Sequence, residues 1–384
     1  MSAVPWATLL VLGLGLTIPP VNGADREMID RNSDFSTRLF RTLASRTDDN
    51  VVLATTAVSR GMAALLAGTV GTTRDQLQAV LRLAGLDPEN ITDPLSVMGA
   101  GALNLKQGVA FFSTADTQVS AKYAADLQSK YEGDVKTLDM SAPQDAVDAV
   151  NAWVRQQIGD QARDQLTALD PQTRLLLATA AFYRGRFRLA FNASVTQDER
   201  FYVDKYHVVT APMMYRADKY FLAYDRALKT GVLKLPMTDG AAMLVVLPDD
   251  NVDIGSVEEE VNTEKIRAWI GQLKKTKLEV QLPRFTFEAS YSLGDVLKTL
   301  GAVQVFQDDA DLGNMGAAQG SKVWQVLHKA AVSMDESGGG DGPAGGFSGP
   351  QPRLTVNRPF LFVVYHESSG GLLLMGRLRD PTKT

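Results

Sequence analysis

Apolar residues in the second half of the chain come in short runs that have the length of β-strands. Four such runs stand out beyond Leu175: Met243–Leu247, Leu278–Leu282, Phe360–Val364 and Leu372–Met375. Runs of this length, rich in Val, Leu and Phe and bounded by turn residues, predict buried strands. Most of the sheet structure is therefore expected C-terminal to Leu175.

Helical spacing of apolar residues dominates the first half. The pattern predicts helices that begin at Ser33, extend over Val58–Val80 and begin again next to Pro143. Two shorter helices, over Ile266–Leu273 and Ser292–Leu300, interrupt the strands of the second half. The sequence thus predicts an α+β fold in a single domain, with helices first and sheet behind.

The N-terminus carries a short apolar run, Thr8–Ile18, followed by two prolines and small residues. This arrangement predicts a secretory signal peptide over residues 1–23 and a mature chain over residues 24–384. The run is shorter than the ~20 residues that a membrane-spanning helix needs, so we expect a secreted protein without a membrane span. The Asn-x-Ser/Thr motifs at Asn90 and Asn192 fit that compartment as glycosylation sites.

Composition excludes several classes of protein. The chain has no cysteine, which rules out disulfides, a thiol nucleophile and Cys-ligated metal. A net charge of -5, from 39 Lys and Arg against 44 Asp and Glu, argues against a nucleic-acid-binding protein. One basic run, Lys274, Lys275 and Lys277, follows a predicted helix. It is either a solvated face or a weak site for a polyanion such as heparin.

Motifs of catalysis are sparse. The histidines are His207, His328 and His366, and no G-x-S-x-G, H-E-x-x-H or P-loop motif occurs. His328 lies in a strand-like stretch and is expected to be a buried structural residue, with the other two at the surface. The acidic cluster Asp308–Asp311 lacks the spacing of a calcium loop. We therefore expect neither an enzyme nor a metal cofactor.

A series of short motifs occurs in order along the chain. They include Asn151-Ala152-Trp153-Val154, Phe182-Tyr183-Arg184-Gly185, Leu282-Pro283-Arg284-Phe285, Asn357-Arg358-Pro359-Phe360 and Gly376-Arg377-Leu378. This series resembles the serpin family. Together they cover nearly the whole mature chain at the family's spacing. The resemblance implies a fold of three β-sheets and eight or nine helices with an exposed reactive-centre loop. It also implies an inhibitor of serine proteases.

The segment Glu336–Pro352 is rich in glycine and proline and is expected to be an exposed loop. The resemblance places the reactive-centre loop over residues 336–357 and the bond offered to a secreted serine protease between Phe347 and Ser348. A phenylalanine there suits the hydrophobic pocket of a chymotrypsin-like enzyme. Arg353 is an alternative cleavage position for a trypsin-like enzyme.

Inhibition in this family depends on insertion of the cleaved loop into the large sheet. Glycine weakens a strand and proline removes a donor from its ladder, and both are frequent in this hinge. Phe347 lies only 11 residues after Glu336, which is about 37 Å of strand against about 54 Å for the family pattern. A non-inhibitory serpin, acting as a binding protein, carrier or decoy, is therefore the alternative. The hinge positions are Glu336, Gly338, Gly339, Gly340, Asp341 and Pro343.

The resemblance also assigns residues to the gate through which the loop enters the sheet. They are Ala54, Ala57, Thr179, Phe187, Arg284 and His328. The family has hydroxyl side chains at the two alanine positions, an asparagine at Thr179 and a tryptophan at Phe187. We expect His328 to lack its usual partners, and we expect Glu336 to pair with Arg284 at the top of the loop.

Within the family, the chain most resembles the members that act with protein Z in blood coagulation. The resemblance assigns protein Z binding to Asp204, Lys205, Tyr206 and Glu264. Charged and aromatic residues at a strand tip are suitable interface anchors, although a solvated turn explains the same residues. The sequence therefore predicts a secreted, monomeric serpin whose partners are serine proteases and protein Z.

Overall fold

The computed structural model describes residues 23–86, 96, 103–117, 119–159, 166–339 and 351–384. Several positions predicted above lie outside the described residues and stay predictions. They are residues 1–22 of the signal peptide, Asn90, Gly340, Asp341, Pro343, Phe347 and Ser348.

Eight α-helices occur in the described residues. They are α1 (Gly23–Ala44), α2 (Thr55–Ala67), α3 (Gly71–Val80), α4 (Ala121–Tyr131), α5 (Pro143–Ile158), α6 (Ile254–Glu260), α7 (Thr263–Gln272) and α8 (Gly294–Leu300). Short 3-10 helices lie at Ala193–Val195, Gln304–Phe306 and Gly313–Met315. No helix in the part of the chain that the structure describes is long and apolar enough to cross a membrane.

The strands lie mostly in the second half, as predicted. They are β1 (Val51–Leu53), β2 (Leu105–Thr114), β3 (Gly133–Leu138), β4 (Leu175–Phe187), β5 (Gln197–Tyr202), β6 (Val208–Asp225), β7 (Thr230–Pro236), β8 (Ala241–Pro248), β9 (Lys274–Pro283), β10 (Phe285–Ser292), β11 (Gln325–Gly338), β12 (Arg353–Thr355), β13 (Phe360–His366) and β14 (Leu372–Leu378). The four apolar runs are confirmed as parts of β8, β9, β13 and β14.

Two of the helix predictions are corrected, whereas those near residues 143, 266 and 292 are confirmed as α5, α7 and α8. α1 begins ten residues before Ser33, whose hydroxyl donates to the Ile29 carbonyl at 2.8 Å within the helix instead of capping it. The helix expected over 58–80 is two helices, α2 and α3. Gly71, which begins the second, has φ +57°, a conformation that glycine adopts without steric cost.

The smaller sheet has five strands in the order β10-β11-β4-β2-β3. β11 is antiparallel to β10 and parallel to β4. β4 is in turn antiparallel to β2, which is parallel to the edge strand β3. The parallel pair of β4 and β11 therefore lies inside the sheet, between two antiparallel pairs.

The larger sheet has nine strands, eight of them in the order β1-β14-β13-β8-β7-β6-β9-β12, with β5 paired to β6. β6 is 18 residues long. It pairs with β5 at its beginning, with β9 along its middle and with β7 at its end. Because β6 continues through both parts of this sheet, the three sheets that the resemblance implies form two hydrogen-bonded networks among the described residues.

Buried side chains form three clusters. The cluster between the two sheets contains Phe285, Phe287, Phe360 and Phe362, with ring centroids 5.6 to 6.4 Å apart. Another packs α1, α2 and α7 against the opposite face of the larger sheet. The third lies under α5, where Trp153 meets Phe112 edge to face. Burial of this extent is the main stabilising contribution in a chain without disulfides.

Candidate functional site

β11 leads directly into the glycine- and proline-rich segment, so its pairing fixes one end of the predicted loop. It pairs with β4 in unbroken parallel register from Gln325 to Met334. The register then shifts, and Gly338 pairs with Phe187. A side chain at residue 338 would collide with the carbonyl oxygen of Phe187. The first end of the loop is therefore held at a position that only glycine fits.

Asp335, in the bulge that precedes Gly338, links β11 to β4. Its Oδ1 accepts a hydrogen bond from the Ser337 N–H at 2.8 Å, and its Oδ2 lies 3.3 Å from Nη2 of Arg184. Burial alone would raise the pKa of Asp335, but the bonds from Ser337 and the charge of Arg184 lower it. Asp335 is therefore an ionised contact across the upper part of the parallel seam.

Glu336, the next residue, is held by two partners. Its Oε1 accepts a hydrogen bond from Thr196 Oγ1 at 2.7 Å and lies 3.5 Å from Nη1 of Arg284. The structure thus brings Glu336 and Arg284 together as expected. Thr196 was not expected, because it lies 140 residues away in sequence and no motif marks it.

The other end of the predicted loop is held on the edge of the larger sheet. The Glu279 N–H donates to the Pro352 carbonyl at 2.9 Å, and Arg353 then pairs with Glu279 in the parallel ladder of β12 and β9. The Arg353 guanidinium binds the Glu279 carboxylate through Nε and Nη2, at 2.9 and 2.8 Å, and lies over the ring of Tyr215. Its hydrogen bond to Glu279 raises the pKa of Arg353. An arginine clamped in a strand is poorly placed to enter a protease pocket, which disfavours the alternative cleavage position.

His328, one of the residues that the resemblance assigns to the gate, is 1% exposed. Its Nε2 accepts a hydrogen bond from the Ala54 N–H at 3.2 Å, so the proton of the neutral ring lies on Nδ1. Nδ1 donates to Thr179 Oγ1 at 2.8 Å, and Thr179 Oγ1 donates to the Leu327 carbonyl at 3.2 Å. Burial lowers the pKa of His328 to about 3. His328 is therefore a neutral, fully bonded structural residue, as expected. Its partners, the Ala54 N–H and the Thr179 hydroxyl, lie at positions where the chain departs from the family pattern.

Other hydroxyl groups lie beside Ala54 and Ala57. Thr55 Oγ1 donates to the Leu372 carbonyl at 3.1 Å, and Thr56 Oγ1 donates to Gln107 Oε1 at 2.9 Å. Tyr291 stacks on His328, and its hydroxyl accepts from the Val52 N–H at 3.1 Å. Ala57 and Phe187 are buried. These hydroxyl groups join α2 to β14 and to β2, and β10 to β1.

The comparisons with known proteins identify the family. The family model described as serpin (serine protease inhibitor) matches residues 30–381. This chain is a serpin. The serpin is 29% identical to the leukocyte elastase inhibitor of Bos taurus, over 91% of this chain and 98% of that protein. It is 27% identical to the protein Z-dependent protease inhibitor of Mus musculus, over 94% of this chain and 83% of that protein.

Solved structures agree with this assignment. The crystal structure of the mouse protein Z-dependent protease inhibitor matches with a TM-score of 0.84 at 27% identity, covering 94% of this serpin and 98% of that chain. A thyroxine-binding globulin in complex with thyroxine matches with a TM-score of 0.82 at 23% identity, covering 93% of this serpin and 100% of that chain. The second match bears on the fold alone.

Three of the four residues assigned to protein Z binding, Asp204, Lys205 and Tyr206, lie in the turn between β5 and β6 of the serpin. Asp204 Oδ1 accepts hydrogen bonds from the backbone N–H groups of Tyr206 and His207 at 2.7 and 2.8 Å. These bonds lower the pKa of Asp204. The turn leaves Tyr206 96% exposed, with Tyr202 and Val208 nearly half exposed beside it. The hairpin tip therefore presents a fixed aromatic surface to solvent.

Glu264 belongs to a different part of the serpin. It lies in the first turn of α7, where Lys265 and Trp269 bind Asp225, the last residue of β6. The turn at residues 204–206 precedes the first residue of that strand. No hydrogen bond or ion pair among the described residues joins Glu264 to the turn. The structure brings together Asp204, Lys205 and Tyr206 and leaves Glu264 outside that group.

The remaining predicted positions are placed as follows. Asn192 is exposed, and its Oδ1 accepts hydrogen bonds from the Ser194 N–H and hydroxyl at 3.0 and 2.9 Å. Lys274, Lys275 and Lys277 lie in β9, where adjacent residues face opposite sides of the sheet, so Lys275 and Lys277 share a face and Lys274 lies on the other.

The other two histidines differ from each other. His207 is exposed as expected, but His366 is 5% exposed, which corrects its predicted surface position. Burial lowers the pKa of His366, and its Nδ1 lies 2.9 Å from Ser369 Oγ. Ser369 is itself buried, so this pair offers no accessible nucleophile. The described residues contain no cluster of side chains that would hold a metal ion.

Proposed function

We propose that this serpin inhibits serine proteases of the chymotrypsin type, with Phe347-Ser348 as the bond offered to the enzyme. The observation that carries the proposal is the fixed position of both loop ends. Gly338 is paired with Phe187, and Arg353 is clamped by Glu279. The segment between them is attached at one end to the smaller sheet and at the other end to the larger sheet. A segment held at both ends in this way can present its Phe347-Ser348 peptide bond to a protease.

The proposed reaction begins as ordinary proteolysis. The hydroxyl of the protease serine attacks the carbonyl carbon of Phe347, and the Phe347-Ser348 peptide bond breaks. The serine proton passes to the departing amino group of Ser348, and Phe347 remains esterified to the protease. Inhibition then requires that the loop enters the smaller sheet before water hydrolyses the ester.

The seam between β4 and β11 is suited to receive that strand. The two strands are parallel, and a strand that turns back from Gly338 would run antiparallel to both. Insertion would replace one parallel ladder by two antiparallel ladders, which are more stable per residue. Residues 340, 342, 344 and 346 are all Gly or Ala. One face of the inserted strand would therefore have almost no side chains to accommodate in the packed interior.

The length of the loop favours a second candidate, a non-inhibitory serpin. The parallel ladder covers residues 325–334 of β11, about 30 Å at strand rise, whereas residues 340–347 span about 23 Å. The inserted strand would end short of the bottom of the seam, and Pro343 would leave a gap in its ladder. A protease carried part of the way would complete hydrolysis and leave a cleaved serpin.

One experiment separates the two candidates. The serpin is incubated with chymotrypsin, and the products are resolved on a denaturing gel and by thermal melting. Inhibition predicts a covalent complex that is absent from the Phe347→Asp variant and present in the Arg353→Gln control. Cleavage without a complex, and without a rise in melting temperature, would establish the non-inhibitory candidate.

We further propose that the hairpin tip binds protein Z and that the serpin acts in coagulation. The support is the exposure of Tyr206, a residue type common at interface centres, and the similarity to protein Z-dependent relatives. Titration with protein Z tests this. Tyr206→Ala should weaken binding, whereas Tyr224→Ala, which alters another half-exposed tyrosine, should not. Equal binding by all three proteins would refute the assignment.

Secretion and glycosylation form a separate part of the proposal. The support is the apolar leader and the exposed turn that holds Asn192. Expression in cultured animal cells should release a protein whose gel mobility increases after enzymatic removal of N-glycans. Asn192→Gln and Asn90→Gln variants identify the modified residue. Retention of the unmodified protein in the cytoplasm would contradict both predictions.

A further inference from the structure

A pocket of about 470 Å³ lies beside β10, which is an edge strand of the smaller sheet. It is enclosed by residues 287–291 of β10, by the last turn of α1 with the segment that follows, and by Lys383 and Thr384. We call it the edge pocket. Its lining includes Leu43, Arg46, Asp49, Phe287, Glu288 and Tyr291. A pocket of this volume falls within the range of sites for small organic molecules.

Part of the lining of the edge pocket is apolar and held in place by its own packing. Leu43 is 5% exposed and Phe287 is 3% exposed. The ring of Phe287 meets that of Phe362 edge to face, with centroids 6.3 Å apart, and the ring of Tyr291 stacks on His328. This apolar wall is therefore already formed, and an apolar group that covered it would be removed from water.

Two ion pairs on the walls of the edge pocket satisfy the charges of its acidic side chains. Asp49 Oδ1 accepts a hydrogen bond from Lys383 Nζ at 2.7 Å, which lowers the pKa of Asp49. The Glu288 carboxylate, on a side chain that is 4% exposed, lies 3.0 Å from Lys329 Nζ. Neither side-chain carboxylate is therefore available to a cationic ligand.

Arg46 is the cation of the edge pocket that has no anionic partner among the described residues. Its Nη2 donates to the Asp295 carbonyl and to Thr299 Oγ1, at 3.1 and 2.7 Å. The Asp295 carboxylate pairs instead with Lys298, at 3.2 Å. The two bonds of Nη2 orient the guanidinium, and its Nε and Nη1 have no hydrogen-bond acceptor in the described ranges. The edge pocket therefore combines an oriented, unneutralised cation with an apolar wall.

We propose that the edge pocket binds a small amphipathic monocarboxylate, with its carboxylate on Arg46 and its apolar part against Leu43, Phe287 and Tyr291. A planar guanidinium with free N–H donors matches the geometry of a carboxylate. The outer peptide N–H groups of β10 have no strand partner in the part of the chain that the structure describes, so they can donate to the same ligand. This site is independent of the predicted loop and of protease inhibition.

The lining favours this class of ligand over other anions and over neutral molecules. A free phosphate or sulfate ion would leave the apolar wall in contact with water. An extended polyanion requires several unpaired cations, whereas Lys383 is already paired with Asp49. A neutral aromatic molecule would cover the apolar wall but would leave Arg46 without an anion. A carboxylate joined to an apolar group satisfies both parts of the pocket.

The test is a ligand-observed NMR titration of the intact serpin with 2-naphthoate, and with 2-naphthamide as its uncharged analogue of the same shape. 2-Naphthoate should bind with a Kd below about 1 mM, and the amide should bind about tenfold more weakly. Arg46→Gln should weaken 2-naphthoate binding about tenfold and leave amide binding within about twofold. The matched control Arg226→Gln removes an exposed arginine between β6 and β7 and should leave both affinities within about twofold.

A second variant tests the location of the bound ligand. Ser290 is exposed and lines the edge pocket, so Ser290→Trp should fill its space without disturbing the core and should weaken binding of both compounds. Thermal melting without ligand checks that each variant is folded. With 2-naphthoate, the melting temperature should rise more in the unaltered serpin and in Arg226→Gln than in Arg46→Gln and Ser290→Trp.

Four results would overturn the proposal. They are no binding of 2-naphthoate, equal affinity for the acid and the amide, equal losses in the two arginine variants, and full affinity in Ser290→Trp. The first would show that the edge pocket does not take this class of ligand. The second and third would remove Arg46 as the anchor of the carboxylate, and the fourth would place the bound ligand elsewhere on the serpin.

Discussion

β11 is bonded differently on its two sides. Toward β10 it is antiparallel over eight residue pairs, with a buried ion pair between Lys329 and Glu288 at 3.0 Å and a hydroxyl contact between Thr286 and Ser333. Toward β4 it is parallel and is linked through the hydroxyl of Thr179 and the partly exposed ion pair of Asp335 with Arg184. Separation at β10 would pull apart two buried charges, whereas separation at β4 would break one partly exposed ion pair and otherwise mostly backbone bonds. β10 and β11 therefore form one unit, and the sheet parts most easily beside β4.

The strongest test of this comparison breaks the β10 side. Lys329→Met removes the ammonium group that pairs with the Glu288 carboxylate, at a site where both side chains are less than a tenth exposed. The free energy of unfolding in urea should fall by about 3–5 kcal/mol. The double variant Lys329→Met/Glu288→Leu replaces both charges with apolar groups and should recover most of the loss. A single variant as stable as the double one would show that the ion pair does not hold the two strands.

The second test breaks the β4 side. Thr179→Val keeps the shape of the side chain but removes the acceptor for the His328 Nδ1 proton. The buried donor is then unsatisfied, and the free energy of unfolding should fall by about 1–3 kcal/mol. Thr286→Val is the matched control on the other seam, because it removes one hydroxyl contact with Ser333. A loss no larger than that of the control would show that the Thr179 hydroxyl does not link β4 to β11 through His328.

A third test uses pH to change the protonation of His328 at the seam between β4 and β11. Burial lowers the pKa of His328 to about 3 in the folded protein, whereas an unfolded histidine has a pKa of about 6.5. Between these values the unfolded chain binds one more proton, so stability is complete above pH 6.5 and falls as pH decreases, by about 1.4 kcal/mol per pH unit.

His328→Gln should reduce the slope of unfolding free energy against pH between 5 and 6.5. Part of the remaining slope is expected from His366, because burial also lowers the pKa of that residue. His207→Gln is the matched substitution at an exposed imidazole, and an equal reduction of the slope in that variant would show that the effect is not specific to His328. An unaltered slope in His328→Gln would mean that the imidazole does not carry the proton linkage.

The smallest effect is expected at the top of the loop. The Arg284 side chain is 48% exposed, so Arg284→Ala should cost less than about 1 kcal/mol. Glu336 keeps its hydrogen bond from Thr196 in that variant. Denaturant unfolding measures the loss, and a value above that of Thr179→Val would show that the loop end, not the gate, holds the seam.

Sequence reasoning located the elements whose pattern is continuous along the chain. Each of the four apolar runs is contained in one strand, so its neighbours in sequence suffice to identify it. The start of α1 was missed because its first turns are polar and its Ser33 hydroxyl bonds within the helix. The pattern of apolar and polar residues within a segment identifies its type, but it contains little information about where the segment begins and ends.

The site was predictable only in part. The position of His328 in a strand identified it as buried, but its partners Ala54 and Thr179 lie 274 and 149 residues away. The parallel register of β4 and β11 determines which hydroxyl group contacts the His328 ring. That register could not be predicted from the sequence. The hydrogen bonds between Arg353 and Glu279 could likewise not be predicted from the sequence, since Glu279 lies 74 residues earlier on β9.

The position of β12, β13 and β14 after the loop has a consequence for connectivity. β13 and β14 lie inside the order of the larger sheet, between β1 and β8, and every residue of both strands is buried. A single cut anywhere between Gly339 and Gln351 therefore produces two polypeptides that stay together as one particle. We expect such a nicked molecule to migrate as an intact protein without denaturant and to release a C-terminal peptide only when the sheet itself is unfolded.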